Sequence, residues 1–323
     1  MRKFNLKDHA AKRIMELEKA GRSETSGPAK APGEADDCLP VTAENLPGIR
    51  IIWATDVGRL RKNNQDAVII GNGLAGVADG MGGHNAGEIA SGGLRDGLLQ
   101  ETMGHSPDKA VLEAAVKKIN RRLYEQQQED TSLSGMGTTL TVLWPTEEEM
   151  IIAQVGDSRA YLIRDGKMIQ MTADHSMVAD MVRNGVLTEE QAACHPMRNY
   201  ITRAVGTDEE LDVDIYTEKR ETGDRWLVCS DGLYGLMSRS VLAELAAIED
   251  PEEAVRELMQ TALENGGRDN ISMVLLDDHE SAKADETAMP DNNVTSEAQP
   301  DDSGSAVTET PSTDETVQEG ADA

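Results

Sequence analysis

The sequence predicts an α+β fold in which helices stack on antiparallel sheets. Three observations carry that expectation. Short apolar runs rich in Val, Ile and Thr succeed one another with hairpin-type turns between them. Helical segments come in pairs after runs of strands, not in strand–helix–strand alternation. Four aspartates, each with a glycine or small residue beside it, mark the ends of apolar strands: Asp79, Asp157 and Asp231 close one, and Asp269 precedes one.

Residues 4–20 place Leu6, Ala10, Ile14 and Leu17 at helical spacing and predict a short amphipathic helix. Residues 21–44 are rich in Gly, Pro, Ser, Ala and acid and read as a linker, so the N-terminal region is set at 1–47. A strand is expected over 49–54, then a basic loop from Arg59 to Asp66, a strand over 67–70 and a turn at Asn72-Gly73. A third strand, 74–78, runs into Asp79-Gly80-Met81-Gly82-Gly83-His84. Helices are expected over 85–103 and from Ser106-Pro107 onward, the second with Leu112, Ala115, Val116, Ile119 and Leu123 on one face. Strands over 137–144 and 150–155 pair, and a hairpin spans 160–171 around Asp165-Gly166. Residues 177–197 are polar and helical, contain Gly185, break at Pro196 and read as an inserted two-helix flap, set at about 176–200. Strands over 212–217 and 225–230, helices over 240–248 and 251–264, and a last strand over 271–276 complete a domain placed at 48–277. Residues 278–323 are acidic and poor in apolar side chains. They cannot bury enough surface to offset ordering entropy and are expected to be disordered.

The chain has 323 residues and a formal net charge of −28, which argues against nucleic acid and anionic membrane as partners. Its three cysteines, Cys38, Cys194 and Cys229, lack a CxxC spacing, as expected of a reducing, cytoplasmic setting. No apolar run is long enough to span a membrane and no secretory signal is visible. A monomer is expected.

Four carboxylates in one small site cannot all stay ionised unless cations neutralise them. Oxygen ligands without His or Cys favour Mg²⁺ or Mn²⁺. Two such ions about 4 Å apart would bind phosphate and turn a bridging water into a hydroxide nucleophile near neutral pH.

In this order, Arg61 to Asp66, Asp79 to His84, Gly137-Thr138-Thr139, Val155 to Tyr161, Thr172 to Ser176, Ile201 to Gly206, Cys229 to Gly235 and Gly267 to Ile271 resemble the bacterial metal-dependent serine/threonine protein phosphatases of type 2C. The resemblance covers about residues 49–277. It implies a four-layer αββα sandwich, two central antiparallel sheets flanked by helix pairs, and hydrolysis of phosphoserine and phosphothreonine on proteins. It also implies that phosphorylated proteins are partners and that a cognate Ser/Thr kinase is opposed. By that resemblance Asp79 bridges two core ions and the Gly80 carbonyl binds one. Asp231 and Asp269 hold the other, and Asp157 with Asp231 forms a weaker third site. Arg61 binds the substrate phosphate. Asp66 would orient a water, and Asn270 joins it as a secondary candidate. Two positions depart from the pattern: Gln65 stands where Glu is frequent, and Met81 where animal members carry His.

Other residues read more plainly. His84 reads as a helix-start residue, His175 as structural, Asp56 as a turn aspartate, and Cys194-His195 as a polar flap segment, not a nucleophile pair. Two further readings stay open: a catalytically weak regulator that binds phosphoproteins on the same fold, and a phosphatase for small phosphomonoesters.

Overall fold

The computed structural model describes residues 42–46, 48–83 and 86–279. Within them, twelve strands numbered in chain order form two antiparallel sheets. One sheet runs β1 (Thr42–Leu46), β2 (Ile49–Asp56), β12 (Ile271–Asp278), β11 (Arg225–Cys229), β8 (Arg159–Arg164), β9 (Lys167–Gln170). The other runs β10 (Asp214–Lys219), β7 (Glu149–Val155), β6 (Leu140–Pro145), β4 (Leu74–Met81), β3 (Asp66–Gly71), with β5 (Gly137–Thr138) beside the end of β4.

Side-chain alternation along these strands builds three apolar layers. In β12, Ile271, Met273 and Leu275 pack outward with helices α6 (Arg239–Ala246) and α7 (Pro251–Glu264). Val274 and Leu276 pack inward, against the other sheet. In β4, Ala75 and Val77 join that inner layer, while Leu74 and Ala78 face helices α1 (Ala86–Glu101) and α2 (Lys109–Glu129). Helix, sheet, sheet and helix therefore stack as the expected four-layer αββα sandwich. Helix α2 starts where Asp108 accepts bonds from the amides of Ala110 and Val111, and α7 where Asp250 caps Glu252 with Pro251 behind it. The Asn72-Gly73 turn has both residues at positive φ, 52° and 81°, as a tight β3–β4 hairpin requires.

The structure corrects several expectations. The sheet begins before Gly48: β1 pairs Thr42 with Trp53 through to Leu46 with Ile49, so the linker ends sooner than 44. At the other end Asp278 belongs to β12, opposite Ile49, and its carboxylate meets Arg220. The segment 137–144 is two strands, interrupted at Thr139. The flap, by contrast, holds the two helices expected of it, both short: α3 (Met177–Arg183) and α4 (Glu189–Ala193). Asp231 does not merely end a strand but opens a one-turn helix, α5 (Asp231–Tyr234). The N-terminal helix, the linker before residue 42, the tail after His279 and His84 lie outside the described residues.

Candidate active site

The layer between the sheets changes character along its length. At one end it is Ile51, Met150 and Leu276. Following the same strand faces toward the other end, the residues become Thr55, Asp66, Asp79, Gln154, Ser230 and Ser272. There Asp66 and Asp79 stand directly opposite each other on β3 and β4. Like charges so placed destabilise a strand pair, and the surrounding bonds show what holds them. The amide of Asp79 donates to Thr139 Oγ1 at 2.9 Å, and its carbonyl accepts from Thr139 N at 2.8 Å and Thr138 Oγ1 at 3.0 Å. Ser230 Oγ donates to Asp66 Oδ2 at 2.9 Å, across the two sheets.

Backbone closes in around these acids. A Cβ on Gly80 would come within 2.1 Å of Gly87 O, and one on Gly232 within 1.9 Å of Asn270 O. Only glycine allows this approach.

Burial drives the carboxyl groups toward their neutral forms, and their neighbours reinforce it. Asp66 is pushed up to about 7 by burial, with Asp231 and Asp269 adding repulsion. Asp79 is raised well above the ordinary carboxylate range by burial, then by Asp66, Asp231, Asp157 and Asp269. Asp231 rises to about 6 through burial and Asp269, against the pull of Arg61 and a side-chain hydrogen bond with Asp79. Asp157, 5% exposed, rises to about 7 through burial and Asp231, with Arg159 opposing. Asp66 Oδ1 is buried with no hydrogen-bond partner. Among the described residues, no group of three or more His, Cys, Asp or Glu side chains is arranged to hold a metal ion as it stands. The donor set still fits a hard divalent cation: all oxygen, with charge the protein leaves uncompensated and one orphaned carboxylate oxygen.

Arg61 reaches the site from the exposed loop 57–65 and donates from Nη2 to Asp269 Oδ2 at 2.8 Å. Asn270 fixes that loop. Its Nδ2 donates to Val57 O at 2.9 Å and Asn63 O at 3.0 Å, and its Oδ1 accepts from Gln65 N at 2.9 Å. The backbone of Gln65 joins the same frame, accepting from Gly80 N at 3.1 Å. Asp56 caps its own turn, accepting from Gly58 N at 2.7 Å.

Asp157 lies on the flank of the site. Tyr234 Oη donates to its carbonyl at 3.0 Å, and Arg159 stacks on the Tyr234 ring at 3.8 Å while forking onto Asp174. His175 Nδ1 accepts from Gly156 N at 3.0 Å, and Nε2 meets Asp214 Oδ2 at 3.1 Å. With both nitrogens engaged and burial holding its pKa down, His175 braces the base of the flap. Cys194 is exposed and Cys229 buried, both as free thiols.

The structure thus gathers Asp66, Asp79, Gly80, Asp157, Asp231, Asp269, Asn270 and Arg61 around one end of the sandwich. Sequence reasoning did not foresee the Thr138-Thr139 brace, the Ser230–Asp66 bond or the Asn270 clamp. A run of small hydroxyl residues at the ends of apolar strands was the only signal for the first two.

The chain matches the protein phosphatase 2C family over residues 60–275. It is 37% identical over 236 residues to the serine/threonine protein phosphatase PstP of Mycobacterium tuberculosis, an alignment covering 71% of this chain and 45% of PstP. The chain therefore spans under half the length of that relative. It is 33% identical over 243 residues to the serine/threonine phosphatase stp of Listeria innocua, covering 70% of this chain and 94% of that protein. The solved catalytic domain of PstP, in complex with two manganese ions, superposes with a TM-score of 0.66 at 36% identity, covering 71% of this chain and 97% of that one.

Proposed function

The chain belongs to the protein phosphatase 2C family, and from that premise we propose that it hydrolyses phosphoserine and phosphothreonine on proteins. The observation that carries this reading is the end-on cluster of Asp66, Asp79, Asp157, Asp231 and Asp269, whose charge Arg61 and Arg159 oppose. Asp79, the Gly80 carbonyl, Asp231 and Asp269 would hold two Mn²⁺ or Mg²⁺ ions. When bound, such ions lower the pKa of water and neutralise phosphate charge. The relative with two manganese ions supports that assignment.

The chain's own groups do the rest. Thr138 and Thr139 hold Asp79 at the end of β4. Arg61 binds the phosphate dianion; its present partner, the Asp269 carboxylate, marks where an anionic oxygen can sit. Asp66 Oδ1, buried and unpartnered, accepts from the attacking water. Gln65 contributes its backbone to the frame that fixes the Arg61 loop, a role its side-chain identity does not alter. Asp157, with Asp231, would hold a weaker third ion that helps the leaving serine or threonine oxygen take up its proton. In the cell the substrates are phosphoproteins made by a Ser/Thr kinase. The free thiols Cys194 and Cys229 suit a reducing, cytoplasmic setting.

The test is manganese-dependent phosphate release from phosphothreonine peptides, compared with Asp231→Asn. Turnover should require Mn²⁺ or Mg²⁺ and collapse in the variant; full activity in excess EDTA would refute the reading. Asp157→Ala should lose less on p-nitrophenyl phosphate, whose leaving group needs no proton, than on phosphopeptide. Equal losses would remove the leaving-group role.

A further inference from the structure

Most cations of this acidic domain are tied to carboxylates or carbonyls. Arg50, Lys117, Lys118, Arg164 and Arg225 are examples. Arg59, Lys62 and Arg268 are among the minority that are not, and they alone of that minority stand beside Arg61 and Asp269 in sequence: all three are exposed and have no ion-pair or hydrogen-bonded side-chain partner among the described residues.

Their placement gives the group its meaning. Arg59 and Lys62 flank Arg61 on loop 57–65, and Arg268 directly precedes Asp269. The two loops are locked together. Arg59 N donates to Gly267 O at 2.7 Å, the Arg59 Cγ packs where a Cβ on Gly267 would be 3.2 Å away, and Asn270 clamps Val57 and Asn63. Gly58, at φ +74°, lies so close to Asp269 that a Cβ would meet its carbonyl oxygen at 2.1 Å. The three free cations therefore stand on a rigid rim beside the group that holds phosphate. Leu60, 70% exposed between them, shows that this loop projects outward.

We propose that Arg59, Lys62 and Arg268 select phosphoserine and phosphothreonine substrates with acidic residues next to the phosphorylated position. The inference rests on the phosphatase reading above and adds its substrate class. The surrounding domain surface is acidic and repels acidic polypeptides at long range, so the preference acts at contact, through the local rim. Exposed charge pairs are individually weak, and on a mobile peptide each contributes about 1.5- to 2-fold, the lower part of their range. Three acting on one peptide give about 3- to 10-fold discrimination, with strong salt sensitivity.

The experiment compares kcat/KM on three phosphothreonine peptides that differ only in acidic, neutral or lysine-bearing flanks, at low and high salt. The wild type should favour the acidic peptide over the neutral one by about 3- to 10-fold at low salt, with the lysine peptide last and the differences shrinking at high salt. The triple variant Arg59→Glu, Lys62→Glu, Arg268→Glu should reverse that order while keeping kcat on saturating p-nitrophenyl phosphate within about twofold, since that substrate has no flanking residues for these side chains to meet. A wild type indifferent to flanking charge, or a triple variant that keeps the wild-type order, would overturn the rim proposal alone. Failure on all three peptides with retained p-nitrophenyl phosphate hydrolysis would overturn the protein-phosphatase reading and the rim with it.

Discussion

Strands β11 and β12 lie side by side, and their two ends treat buried acid in opposite ways. At one end Asp224 takes a fork from Arg164, with bonds of 2.6 and 2.7 Å. Asp277 meets Arg225 Nε at 2.8 Å, and Asp278 meets Arg220 Nε at 2.8 Å. Arg225 also donates to the carbonyls of Ala246 and Glu249, at 3.0 and 3.1 Å, closing the end of α6. At the other end Asp231 and Asp269 face Asp66 and Asp79, and Arg61, with Arg159 on the flank, opposes five carboxyl groups. The same fold can match every acid with an arginine, and at one end it does. The unmatched end is where charge has been left for something else to neutralise.

The largest break in that comparison comes from Asp79. Asp79→Asn should lower turnover about 100- to 1000-fold, the scale on which a positioned electrostatic group acts. It should leave the metal-free protein no less stable, because a repelling carboxyl is removed. Thermal melts in EDTA beside kinetics in Mn²⁺ check both halves.

At the matched end the expectation reverses. Asp224→Asn strands Arg164 beside a buried amide, and breaking one side of a buried ion pair costs about 3–5 kcal/mol. Since Arg164 keeps Glu218 and Glu221 nearby, the loss should fall at the low end, about 3 kcal/mol. Chemical denaturation measures it, and turnover per folded molecule should not change.

Arg61→Ala is the smaller change at the unmatched end. One bond to a charged group contributes about 1.5–3 kcal/mol, so kcat/KM should fall roughly 10- to 100-fold. Unchanged kinetics on a phosphopeptide would mean that phosphate binds elsewhere.

Much of this contrast was legible in the sequence, for physical reasons. Asp79, Asp157 and Asp231 announce themselves together: one apolar run ending in acid beside glycine is an ordinary turn, but the pattern recurs along the chain. Helices α1, α2 and α7 announce themselves by apolar periodicity and caps. Strand β1 does not: an edge strand takes its hydrogen bonds from β2, and Thr42 to Leu46 carries no alternation of its own. The one-turn helix at Asp231 is too short for any period. The clamp of Asn270 on Val57 and Asn63 joins residues more than 200 positions apart, and the Thr139 bond to Asp79 spans 60. Contacts of that range are products of the fold, not of local pattern. The arginine partners of Asp224, Asp277 and Asp278 were hidden for the same reason, so Asp278 read simply as the first residue of an acidic tail.

The most direct test of the central claim is the melting temperature across pH, with and without Mn²⁺. In the metal-free chain Asp66 and Asp157 are pushed up to about 7 and Asp231 to about 6, from a usual 3.8. The folded state then binds more protons than the unfolded one between about pH 4 and 7. The stability these groups contribute is present below that window and lost as pH rises through it. His175, whose pKa is lowered, acts with the opposite sign but does so with or without metal, so it cancels in the difference. The rise in melting temperature caused by Mn²⁺ should therefore be small at pH 5 and large at pH 8. At 100 times the dissociation constant, binding adds about 2.7 kcal/mol, or about 5–10 °C for a domain of this size. A Mn²⁺-induced shift that is absent at pH 8, or no larger there than at pH 5, would contradict the claim that this end of the sandwich is a cation site.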